Sequence, residues 1–138
     1  MSLRKIAQTK DTTVVTLVNP DDLETVLTNA DGSPMTITVY GPFSKKYKEL
    51  NFKVQDKRLK KLQRTGGKMQ ISAEELAEAA REVLMGCIVE WNVTIEDDPE
   101  PLTPDAIARV FEEFPWVVTQ LDTVIGNELN FLTKPASS

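Results

Sequence analysis

Three short stretches hold residue types able to do chemistry. "TGGK" at 65–68 has the composition of a phosphate-binding loop's end, where backbone N–H groups cradle phosphates and a following Ser or Thr holds Mg²⁺. The pattern fails on both sides: Leu62 stands where the first Gly belongs, and Met69 replaces the hydroxyl residue. A helix terminator at Gly66-Gly67 accounts for it better. Glu96, Asp97, Asp98 and Glu100 offer carboxylates to a hard divalent cation, but lack the alternating spacing and central Gly of a calcium loop. Pro99 and Pro101 stiffen the segment, so a solvated acidic loop is expected. Cys87, the single thiol, sits among Leu84, Ile88 and Trp91. An apolar surrounding of that kind predicts an inert buried thiol, because a reactive one needs an electropositive, accessible site. The chain has no histidine, which removes Ser-His-Asp and Cys-His arrangements, imidazole metal ligands and the side chain best matched to proton transfer near neutral pH. No catalytic residue, metal or cofactor is expected, and a non-enzymatic role is favoured.

The remaining chemical feature is charge. "KKYKELNFKVQDKRLKKLQRTGGK", residues 45–68, carries ten of the sixteen Lys and Arg residues against only Glu49 and Asp56, a local charge of +8 in a chain whose net charge is −5. Residues 72–128 carry fourteen acids against Arg81 and Arg109, a local charge of −12. Nucleic-acid binding needs a basic face with groove-fitting or stacking elements. Here Tyr47 and Phe52 are the only aromatics in the block, no nucleic-acid signature is present, and the acidic remainder repels a phosphate backbone over roughly 8–10 Å. The alternatives are that the opposed charges face each other, within one chain or between copies, or that the basic segment docks on another protein with its Lys and Arg stems over apolar residues. Protein contact is favoured.

These side chains must be positioned by the following elements. Residues 1–11 form a polar lead-in. "TVVTLV" (13–18) predicts a strand, and "MTITVY" alternates Met35, Ile37 and Val39 with polar positions, which is strand periodicity. Asp31-Gly32 marks a turn between Leu23–Asn29 and Pro34–Tyr40, so 1–41 predicts a hairpin or small three-stranded sheet. "NPDDLETVL" can alternatively open as a short helix. Phe43, Tyr47, Leu50 and Val54 fall at helical spacing behind a Ser44 cap, predicting a basic helix over 43–66. Leu59 and Leu62 are out of phase with that stripe, so either the helix breaks near Gln55-Asp56 or its apolar face winds round the axis. Ser72-Ala73-Glu74-Glu75 is a capping box, with Ile71 and Leu76 as its staple; Leu76, Ala80, Val83, Leu84, Cys87, Ile88 and Trp91 mark one apolar face. Thr103-Pro104 starts a helix with Ile107, Val110, Phe111 and Phe114 inward. Pro115 breaks it, and Val118, Leu121, Val124 and Ile125 give another. Trp116 is either a core cap or an exposed anchor. Residues 129–138 are a tail holding Leu129, Phe131 and Leu132.

Strands first and four helices afterwards predict a mostly helical α+β protein, a single domain of 138 residues whose helical core spans 72–128. No apolar run approaches the roughly 20 residues that cross a bilayer, "MSLRKIAQTKDTT" has no secretory pattern, and the lone cysteine fits a reducing cytoplasm.

Taken together, four segments resemble a tail assembly chaperone of long-tailed, lambdoid siphophage-type bacteriophages. "MTITVYGPFSKKYKEL" resembles the family's extended segment, Tyr-Gly-Pro corner and basic helix. "ISAEELAEAAREVLMGCIVEWNV" resembles its alanine-rich helix with the Cys-Ile-Val-x-Trp ending, "PLTPDAIARVFEEFPWVVTQL" its capped helix and aromatic-Pro break, and "GNELNFL" its Asn-Phe-Leu ending. The resemblance spans residues 35–132. It implies a non-enzymatic protein of the host cell cytoplasm, absent from the mature virion. Its partners would be the tape measure protein, the major tail tube protein and a longer frameshifted form of itself, with homo-oligomerisation open. The family assigns no roles to individual residues. Exposure logic nominates Tyr47, Leu50, Val54, Leu59 and Leu62 on the basic helix, with Trp116, Phe131 and Leu132 near the C-terminal end. Two other functions stay open: a nucleic-acid-associated regulator using Lys45, Lys46, Lys57, Arg58, Lys60, Lys61 and Arg64, and a minor structural tail protein.

Overall fold

A computed structural model describes residues 3, 7–64, 66 and 72–133. The chain is a predominantly helical α+β protein. In order come β1 (Gln8–Thr9), β2 (Thr12–Thr16), β3 (Thr36–Tyr40), α1 (Lys45–Arg64), α2 (Ala73–Cys87), β4 (Ile88–Trp91), β5 (Thr94–Ile95), β6 (Asp98–Pro99), α3 (Pro104–Glu113), α4 (Pro115–Gly126), a 3₁₀ turn (Glu128–Phe131) and β7 (Leu132–Thr133).

The main sheet is antiparallel with order β2-β3-β4. Its first pair is the hairpin expected from the alternating sequence, in register from Thr12↔Tyr40 to Thr16↔Thr36. Its third strand was not expected: residues 88–91, assigned by periodicity to the end of the apolar helix, leave that helix at Cys87 and pair with β3 at Ile37↔Trp91 and Thr38↔Glu90. Ile-Val at 88–89 is β-branched and suits an extended backbone, and β3 offers an open edge on that side. Tertiary pairing outweighs the helical stripe.

Between β2 and β3 the chain makes a long excursion. Asp31-Gly32 forms the expected turn, with Gly32 at φ +86°. The short helix considered for "NPDDLETVL" does not form. Asn19 Oδ1 accepts from the Asp21 N–H at 2.9 Å, and Asp22 Oδ1 accepts from Glu24 and Thr25 N–H groups at 2.9 and 3.0 Å. Such side-chain bonds offer the backbone an alternative to helix. Two amides pin the excursion: Gln120 Nε2 donates to Val18 O at 2.8 Å while its Oε1 accepts from the Val18 N–H at 3.0 Å, and Asn92 bridges Thr36 N and Pro34 O.

One sheet face packs on α3 and α4. Val15, Leu17, Ile37 and Val39 meet Val110, Phe111, Val117, Leu121 and Phe131 in one core. Both helices begin where expected: Thr103 Oγ1 accepts from the Ala106 N–H at 3.2 Å with Pro104 in the first turn, and Pro115 opens α4. Phe131 is fully buried. Gly41 stacks on its ring so closely that a Cβ there would overlap it. The acidic loop is a tight hairpin, β5–β6, turning at Glu96 and Asp97 with φ +53° and +67°. Both angles lie in the left-handed region typical of two-residue hairpin turns.

α1 and α2 form an antiparallel arm packed beside this core. The buried Ser44 hydroxyl caps α1, accepting from Tyr47 N–H at 3.1 Å and donating to Gly41 O at 2.8 Å. α1 runs unbroken through Gln55-Asp56 for 20 residues. Gly66 is left-handed, φ +65°. The terminator role of Gly67 and the staple residue Ile71 lie outside the described residues, as do 134–138 of the tail.

Candidate protein-docking surface

The arm has two faces, one packed on α2 and one exposed. Inward, Tyr47, Leu50 and Val54 pack with Tyr40, Ala79, Val83 and Cys87 in a small cluster separate from the main core. Val54 is the single buried residue of α1. Leu50 reaches Gly86 of α2, where an added Cβ would lie 2.7 Å from Leu50 Cδ2. Gly86 is therefore what lets the two helices approach at their base.

Outward, Phe52, Leu59 and Leu62 are 68%, 57% and 36% exposed. Phe52 and Leu59 are seven apart, two helical turns, so they share a side. With Lys53, Gln55 and Asp56 they line a shallow depression. The out-of-phase leucines thus mark neither a break nor a winding stripe. Leu59 belongs with Phe52 to a second apolar stripe, turned away from α2.

The opposed charges meet inside the chain. Lys57 Nζ lies 2.7 Å from Glu82 Oε1, and Lys61 Nζ lies 3.3 Å from Glu75 Oε1. Lys60 pairs with Asp56 on its own helix at 3.2 Å. Three members of the basic set considered for nucleic acid therefore have carboxylate partners, while Lys45, Lys46 and Arg64 lie at the helix ends. Arg58 instead faces the groove between α1, α2 and α4, opposite Asp122. Burial raises the Asp122 carboxyl above its usual range.

The eight nominated contacts do not form one site. Tyr47, Leu50 and Val54 hold the arm together; Leu59 and Leu62 are outward. Trp116 is half-buried against Phe114, ring centroids 6.1 Å apart in an edge-to-face pair, which resolves its two alternatives towards packing. Leu132 is half-buried in β7, where it pairs with Thr9 of β1. Phe131 requires correction: exposure was the reason for naming it, and it is part of the core, because the 3₁₀ turn folds the tail back under Gly41. Phe52, the most exposed aromatic position of the arm, is absent from the nominated set, although its seven-residue spacing to Leu59 is visible in the sequence. Asp122 and the groove had no sequence signal.

Among the described residues, no cluster of three or more Cys, Asp or Glu side chains is placed to hold a metal ion. Cys87 is fully buried, and that burial pushes its thiol up to about 11. Trp91 finds the partner its indole needs, donating to Glu100 O at 3.0 Å. No described helix is long and apolar enough to cross a membrane. No protein-family model, no curated protein and no solved structure matches the chain.

Proposed function

We propose that this protein is a tail assembly chaperone of long-tailed bacteriophages, acting by reversible protein binding rather than catalysis. The observation that supports it most is the outer stripe of α1. Phe52, Leu59 and Leu62 stay exposed on a helix whose inner face is already satisfied by α2. An apolar stripe set among lysines suits an apolar helical client, and the high charge of the rest keeps the complex dispersed. The client is the tape measure protein, and many weak contacts along a long chain give useful avidity. The tail tube protein and a longer frameshifted product are the further partners, and action is in the host cell cytoplasm with release before the virion is complete.

Nucleic-acid binding is weaker on two counts: Glu82 and Glu75 already engage Lys57 and Lys61, and the flanking surface is acidic. Co-expression with the tape measure protein encoded in the same genome is the test. The soluble fraction of that client should rise with this chain and fall back with Phe52→Asp. An unchanged soluble fraction in the presence of the unmutated chain overturns the proposal.

A further inference from the structure

A second surface adjoins the outer stripe, on the side of α1 that meets α2 and α4. Where α1, α2 and α4 meet, a groove of about 250 Å³ has a floor of Val54, Ala79, Val83 and Leu84. Leu76 and Ala80 lie at its mouth, and Leu76 is 47% exposed although it belongs to the apolar face of α2. That face is buried at Val83, Leu84 and Cys87 and open at its start. Arg58 from α1 and Asp122 from α4 line the groove. Neither has a hydrogen-bond or ion-pair partner among the described residues, unlike Lys57, Lys60 and Lys61 nearby.

We infer that this groove docks an amphipathic helix of a partner protein, its apolar stripe on Leu76, Ala80 and Val83, with a Lys or Arg on one flank pairing Asp122 and an acid on the other pairing Arg58. The walls are helices, so no strand edge is offered for β-addition, and an α-helix is the element that lays an apolar stripe into such a trough. Alanine at 79 and 80 keeps the floor low. The volume falls under the roughly 300–1,000 Å³ of small-molecule pockets. Two opposite charges on different walls, a half-buried Arg58 and an exposed Asp122, favour one polarity of the occupant through electrostatic complementarity. Partial burial raises the Asp122 carboxyl, although the residue stays exposed at the groove wall. The proposal rests on the chaperone role only for the source of the helix, a client or tail protein, and not for the chemistry of the groove.

The test uses the full chain and amphipathic helical peptides that share one apolar stripe, one flanked by Lys and Glu on opposite sides, one with those charges exchanged and one neutral. Amide shifts of α2 and α4 should map the Lys/Glu peptide to the groove, with the charge-exchanged and neutral peptides weaker. Asp122→Lys should weaken the Lys/Glu peptide about tenfold, the scale of placing like charges together, and a peptide with Lys changed to Glu should regain it. Ala80→Lys should block all three peptides, while Val14→Thr on the far sheet face should change nothing. Absence of shifts in the groove for every peptide, or equal binding of the neutral one, or no regain on charge exchange, overturns the inference. The two proposals fail separately. A client made soluble by the unmutated chain while no peptide shifts the groove overturns the groove and leaves the chaperone role intact. Groove binding without any effect on the tape measure protein does the reverse.

Discussion

Gly86→Ala tests the contact on which the arm depends. Gly86 is a helical position near the end of α2, so propensity alone predicts that alanine stabilises the protein by about 0.5–1 kcal/mol. The structure predicts otherwise. A Cβ there would stand 2.7 Å from Leu50 Cδ2 and 2.9 Å from Cδ1, roughly 1 Å inside the 3.5–4.0 Å of a comfortable carbon contact. Overpacking costs about 1–3 kcal/mol, and the top of that range does not apply because the colliding atoms are the tip of a side chain that can turn. The two terms leave a net change between about zero and 2 kcal/mol of destabilisation. Repeating the substitution in a Leu50→Ala background removes the collision and exposes the propensity gain. The sign of the Gly86→Ala effect should therefore reverse, with a coupling of about 1–2 kcal/mol between the sites. Urea unfolding followed by circular dichroism measures all four proteins. Stabilisation by Gly86→Ala in both backgrounds, with coupling near zero, would refute close packing of the helices at this point.

Further outcomes follow from other contacts. Gly41→Ala should destabilise by about 3 kcal/mol or more, since the new methyl overlaps the buried Phe131 ring and the backbone must move; a thermal scan showing no loss contradicts that packing. A Lys57→Ala and Glu82→Ala cycle should give a coupling under about 0.5 kcal/mol, because both side chains are mostly exposed; urea midpoints of the four proteins check it. Cys87 should react with a thiol reagent at pH 8 about a hundredfold more slowly when folded than when unfolded, as its pKa rises from 9.0 to about 11. The same shift sets a sign for alkaline stability: the folded state disfavours the thiolate, so stability is intact below pH 9 and declines as pH rises towards about 11. Urea midpoints that stay flat from pH 8 to 10 would contradict it.

Local signals carried well wherever one residue type had one structural use. Ser44, Ser72 and Thr103 cap the helices that the sequence assigns to them, and each hydroxyl accepts the expected N–H. Pro115 and the Asp31-Gly32 turn are equally direct. The stretch from Ile88 to Trp91 misleads because its apolar spacing satisfies a helix as well as a strand, and only the open edge of β3 chooses between them. The outer stripe was half legible: Leu59 and Leu62 stood out as misfits, but periodicity alone cannot say which of two stripes a helix turns outward. Phe131 shows the converse, a residue close to the chain end that the 3₁₀ turn folds into the interior. The groove was invisible because it joins Arg58, Leu76 and Asp122 from three helices, and nothing in their local sequence refers to one another.

The arm is inserted between two strands that are hydrogen-bonded neighbours. β3 ends at Tyr40 and β4 begins at Ile88, directly after the last residue of α2, so the sheet treats everything from 41 to 87 as one oversized turn. Strand pairing is decided at the root of this projection. The fold can accordingly tolerate a longer or shorter boom, added or removed in matched helical turns on both legs, while its sandwich of sheet and helices stays as it is. The length of the arm is thereby uncoupled from the architecture that anchors it.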